Sequence, residues 1–80
     1  MNKLRIIRNL EMLCRYISHD IEKVDKSIEY WKNCIEELGA DTISVGNETY
    51  GEALDASIED REYLVNKLEE NNKIIEELAD

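Results

Sequence analysis

Residues 7–38 read IRNLEMLCRYISHDIEKVDKSIEYWKNCIEEL. Within them Ile7, Leu10, Cys14, Ile17, Ile21, Val24, Ile28, Trp31, Ile35 and Leu38 follow one another in alternating steps of three and four. An α-helix turns once every 3.6 residues, so these ten positions form one nearly straight stripe along a helix. A stripe this narrow and this long is a coiled-coil-like seam, which buries itself lengthwise against another helix. The fold class expected is therefore all-α, with helix one running from about residue 2 to 38. Ser18-His19-Asp20 is the one place inside it where a break is conceivable, with Ser18 as the cap of a new helix.

Working outward from the seam, Gly39 follows Leu38 and suits the position after a helix, where φ is often positive. Residues 39–51 hold three glycines among turn formers and read as a non-helical connector. It is long for a link between helices, where two to eight residues are usual. Its Ile43, Val45 and Tyr50 give it the means to fold over the end of a helix pair as a cap. Loops longer than the topology requires also tend to carry binding function. Thr49 and Glu52 have capping-box spacing, with Asn47 as the other candidate cap, and Gly51 weakens the start of the helix that follows. Helix two is expected over about 50–78, with an inward face of Leu54, Ser57 or Ile58, Arg61, Leu64, Leu68, Asn71, Ile75 and Leu78.

Residues 1–80 thus read as a single helical domain, an antiparallel hairpin with a long connector. Folding the seams together pairs Leu38 with Leu54, Trp31 with Arg61, Ile28 with Leu64, Val24 with Leu68, Ile21 with Asn71, Ile17 with Ile75 and Cys14 with Leu78. In this register Leu4, Ile6, Ile7, Leu10 and Leu13 lack a partner from the same chain. An apolar overhang of that kind points to a second copy in a helical bundle, or to another protein docking there. Tyr16 and Tyr30, on the outer side of helix one near Met12 and Cys34, join those five as candidate interface residues. Asn71, or Asn72 beside it, resembles the polar seam residue that sets register or oligomeric state.

The net charge is −9, unevenly spread. Residues 1–15 carry Lys3, Arg5, Arg8 and Arg15 against Glu11, a balance of +3 that leaves −12 for the remainder. A strongly acidic body argues against direct nucleic-acid binding, which depends on positive charge to displace counterions. It favours docking on a basic surface. The N-terminal apolar residues alternate with Lys3, Arg5 and Arg8, so no signal peptide is expected. No run approaches the roughly 18 apolar residues of a membrane span. Cys14 and Cys34 lie twenty residues apart on one helix, roughly 30 Å at about 1.5 Å per residue, too far for a disulfide. Two free thiols fit a reducing, cytoplasmic location.

Catalytic groups are sparse. His19 is the sole histidine and falls on the outer face near Asp20 and Glu22. Glu36-Glu37, Glu69-Glu70 and Glu76-Glu77 read as solvated helix faces, because acid–base chemistry needs carboxylates in a cleft that separates their pKa values. There is no glycine-rich phosphate loop and no metal-ligand spacing around the cysteines. No enzyme activity, metal or cofactor is expected. Trp31 opposite Arg61 reads first as a stacked structural layer. Its functional alternative is an anion or nucleotide site, with Arg61 holding a phosphate and Trp31 stacking a base; Arg8 and Arg15 of the basic arm are further candidates for binding an anionic ligand.

Gly51-Glu52-Ala53-Leu54-Asp55, followed by Ile58, invites one family comparison. At Leu54, Asp55 and Ile58 it is similar to the Ser-Gln-x-Leu-Asp stretch of the short helical hairpins that dephosphorylate response regulators in sporulating bacteria. Gly51 and Glu52 stand where that family has Ser and Gln, and the likeness spans fewer than ten residues, a segment rather than the chain.

The leading expectation is a non-enzymatic, acidic helical binding module that self-associates and occupies a surface of another macromolecule. Its size, acidity and Ile/Asn/Lys/Glu-rich, proline-free composition are compatible with a phage or mobile-element inhibitor of a host defence system, its partner a host protein. A second expectation is an oligomeric sponge for an anionic small ligand such as a nucleotide. A third is a structural or regulatory oligomerisation module, of which the phosphatase-like hairpin is a variant.

Overall fold

A computed structural model describes residues 2–80. Helix α1 spans Lys3–Leu38, strands β1 (Ile43–Val45) and β2 (Glu48–Thr49) form a short antiparallel ribbon, and helix α2 spans Tyr50–Ala79. The two helices pack against each other as an all-α hairpin. It is a rod of 54 × 20 × 14 Å.

Helix α1 is unbroken, so Ser18 starts no new helix. Asn2 caps it, its side chain accepting from the Arg5 N–H at 3.2 Å. At the other end the Gly39 N–H donates to the Ile35 carbonyl at 2.8 Å, and Gly39 has φ +92°, which a side-chain-bearing residue rarely adopts. Helix α2 begins with the expected capping box. Thr49 Oγ1 accepts from the Glu52 N–H at 3.1 Å, and Glu52 Oε1 accepts from the Thr49 N–H at 3.2 Å. Two otherwise orphaned donors are thereby satisfied.

The seam positions from Ile7 to Ile35 are the least exposed of α1, joined by Ile6 and Cys34, and Ile17 is buried. In α2 the covered positions are Tyr50, Gly51, Ala53, Leu54, Ser57, Leu64, Val65, Leu68, Asn71, Ile75 and Leu78. Ser57, not Ile58, turns inward.

The register differs from the one the seams alone imply. Arg61 meets Asp25, six residues before Trp31, and Cys14 meets Asn72, six residues before Leu78. Helix α2 is thus slid by about 9 Å towards the start of α1. Two consequences correct the sequence reading. The N-terminal turns are not an overhang: Ile6, Ile7 and Leu10 are half-buried, and Lys3 Nζ donates to the Asp80 carbonyl at 3.3 Å. The unpaired end of the seam is instead Leu38, 58% exposed, which has no Leu54 over it.

The connector explains the slide. The Tyr50 N–H donates to the Thr42 carbonyl at 3.0 Å and the Gly51 N–H to the Ala40 carbonyl at 2.9 Å. These bonds draw the start of α2 back beside Trp31, whose ring centroid lies 5.9 Å from that of Tyr50. A Cβ on Gly51 would sit 3.2 Å from the Ala40 oxygen, so glycine here permits a close backbone approach. The ribbon turns through Gly46-Asn47, with Gly46 at φ +59°, which matches the Gly-first preference of two-residue hairpin loops. The connector is not an apolar cap: Ile43 is 60% and Val45 74% exposed.

Candidate interaction surface

The expected anion site is not assembled as the sequence implied. Arg61 Nε donates to Asp25 Oδ1 at 2.6 Å, a charge-assisted bond at a half-exposed edge of the helix pair. Trp31 packs elsewhere, edge-on to Tyr30 at 4.9 Å between centroids and tilted against Tyr50. The indole is therefore in an aromatic row, while the guanidinium is held by a carboxylate. On the same helix pair the Cys14 thiol donates to Asn72 Oδ1 at 3.5 Å, so Asn72 rather than Asn71 makes the polar clip.

Of the candidate interface residues, Leu4, Leu13, Tyr16 and Tyr30 are exposed, whereas Ile6, Ile7 and Leu10 are half-buried in the hairpin. Arg8 and Arg15 are exposed and, with Glu11 and Met12, line a shallow depression on the outer face of α1. A second depression next to it is lined by Asn2, Leu4, Arg5, Arg8, Asn9 and Met12. His19 lies on the outer face, with Glu22 Oε2 3.9 Å from its Nδ1.

A further surface was not anticipated. Asp20, Lys23 and Val24 of α1 and Asp60, Tyr63 and Leu64 of α2 line a groove on one lateral face, halfway along the rod. Tyr63 is exposed and carries Lys67 Nζ over its ring at 5.6 Å. The available signal was the recurrence of Tyr16, Lys23 and Tyr30 at intervals of seven, which places all three on one stripe beside the seam. At the far end of that stripe the Tyr30 phenol is pushed above the ordinary tyrosine range. The first cause is its side-chain hydrogen bond with Cys34, followed by the charge of Cys34, desolvation and the charge of Tyr50.

Charge divides the rod into unequal halves. Residues 21–65, the connector half, carry Lys23, Lys26, Lys32 and Arg61 against twelve carboxylates, a net −8. The open half, residues 2–20 and 66–80, carries six basic and seven acidic residues, a net −1.

Among the described residues no group of three His, Cys, Asp or Glu side chains is placed to hold a metal ion, and both cysteines are free. No helix among the described residues is long and apolar enough to cross a membrane. No protein-family model, curated protein or solved structure matches the chain.

Proposed function

We propose that the chain is a non-enzymatic helical binding module whose two helices close on each other along a coiled-coil-like seam and whose hairpins self-associate into a bundle. The observation that carries this is the thinness of its interior. Among the described residues only Ile17 and Ala53 are buried, and no side chain is fully buried. The accessible surface is 6180 Å², against roughly 5,000 Å² for a compact monomer of this mass. Large apolar side chains, among them Leu4, Leu13, Tyr16, Tyr30 and Tyr63, remain in solvent. Small domains with so little core gain stability from a partner subunit.

The acidic connector half supports docking of the assembled module on a basic macromolecular surface. An inhibitor that covers such a surface is the form of this reading that the composition favours. Arg8 and Arg15, which make no ion pair among the described residues, support binding of an anionic ligand as the second reading. Arg61 is committed to Asp25 and does not support it.

Sedimentation equilibrium tests the main claim. A species of at least twice the 9.4 kDa chain mass is expected at micromolar concentration. A 9.4 kDa species that persists to millimolar concentration overturns it.

A further inference from the structure

We infer that two copies pair antiparallel about a two-fold axis at Lys23, with the lateral groove of each covered by the other. This rests on the self-association proposed above and assigns its face, its direction and its contacts.

The groove lies where such an axis gives the greatest overlap. Helix α1 runs from residue 3 to 38, so its midpoint falls between Asp20 and Ile21, and the groove is lined by Asp20, Lys23 and Val24 with Asp60, Tyr63 and Leu64. Two rods joined here overlap along almost their whole 54 Å length. Closed two-fold pairing uses one self-complementary patch on both copies.

The side chains on this face are arranged symmetrically about Lys23. Tyr16 and Tyr30 each lie seven residues from it, about 10 Å along the helix. An antiparallel partner therefore sets Tyr16 beside Tyr30 of the second copy, and Leu13 within about one residue's rise of its Cys34. Tyr16, Tyr30 and Leu13 are all exposed in the single hairpin. On the axis the two Lys23 ammonium groups approach each other, but each is flanked by Asp20 and Asp60 of the groove. Lys23 of one copy can pair with Asp60 of the other, which converts a like-charge contact into two ion pairs.

The direction follows from the charge halves. A parallel pair would lay the −8 connector half of one copy along that of the other. An antiparallel pair lays it along the nearly neutral open half, which carries Arg5, Arg8 and Arg15. Like-charge juxtaposition costs association far more than a neutral surface does. The area is also sufficient: the hairpin exposes roughly 1,200 Å² more than a compact monomer of its mass, and a standard interface takes about 800 Å² from each partner.

Thiol cross-linking tests the axis. In a chain carrying Cys14→Ser and Cys34→Ser, Lys23→Cys places a single thiol on the proposed axis, and Ser18→Cys places one on the opposite edge. With a short bismaleimide, Lys23→Cys is expected to give covalent dimer at least tenfold faster than Ser18→Cys. Equal rates, with a dimer mass by sedimentation, overturn the assigned face while leaving self-association standing. A monomer mass for the unmodified chain overturns both. As a second measurement, Tyr16→Glu and Tyr30→Glu are each expected to raise the dimer dissociation constant at least tenfold with unchanged helicity, and Met12→Glu to leave it within twofold. The reverse pattern, with Met12→Glu dissociating the dimer, moves the interface to the outer basic face and overturns the inference.

Discussion

Along the shaft of the rod, α1 and α2 meet through half-buried aliphatic side chains, with two polar clips at Arg61–Asp25 and Cys14–Asn72. Between Leu38 and Glu52 the chain is tied instead by backbone hydrogen bonds, a capping box and the Trp31–Tyr50 contact, while Ile43 and Val45 stay in water. The shaft supplies most of the apolar burial, and apolar burial is non-directional. A seam that repeats every seven residues also looks alike to its partner after a slide of about one heptad. The connector bonds are directional and tolerate no such slide. The difference teaches that the shaft decides that the helices pair, and the connector decides where.

The largest expected effect probes the shaft. Ile17→Ala removes the most buried seam side chain and should cost about 2–4 kcal/mol, read as a lowered urea midpoint. A loss under about 1 kcal/mol would mean that burial at mid-rod is not what holds the pair. Gly51→Val probes the connector. It forces a side chain against the Ala40 oxygen and should cost about 1–3 kcal/mol. If its stability matches the parent, the close approach does not set the register. Thr49→Ala removes the helix cap and should cost about 1 kcal/mol, seen in thermal melts. The Arg61–Asp25 clip is half-exposed, so screening limits it. A double-mutant cycle with Arg61→Met and Asp25→Asn should return under about 1 kcal/mol, shrinking as salt is raised.

The smallest effect sharpens the boundary between the two regions, where Tyr30 meets Cys34. The fold holds this phenol neutral above its ordinary range. Its contribution to stability is therefore full below the unfolded-state pKa and is lost as pH rises through the higher folded-state value. An alkaline absorbance titration should show one of the four tyrosines ionising later than the rest. Cys34→Ala should return it to the others; a late tyrosine that survives that change would sink the assigned cause.

How much could be read in advance follows the same division. The heptad steps from Ile7 to Leu38 lie within α1, which starts one turn earlier at Lys3, and Thr49 and Glu52 form the capping box at the start of α2. Both signals are local, and local hydrogen-bond geometry enforces them. The register was not legible, because Leu54, Leu64 and Leu68 satisfy more than one alignment with an apolar stripe. What selects one is the Gly51–Ala40 contact, between backbone groups that leave no pattern in side-chain chemistry. The ribbon did have a signal: Ile43-Ser44-Val45 alternates and is followed by Gly46-Asn47. Tyr16 and Tyr30 were visible as exposed aromatics. Their relation to Lys23, Asp60 and Tyr63 needed the second helix in place, as did the reassignment of Arg61 from Trp31 to Asp25.

The ribbon also bears on how the chain behaves in a crowded solution. A two-stranded ribbon leaves two open edges, and an open edge with Ile43 and Val45 beside it is a template on which other extended chains can add. Here β1 is three residues long and β2 two, the pairing between them is irregular, and Asp41 and Glu48 flank the apolar pair. A segment this short, with a carboxylate at each end, offers too few hydrogen bonds to nucleate a growing sheet. Replacing both acids with neutral residues would remove that protection, turning a turn between helices into a place where aggregation begins.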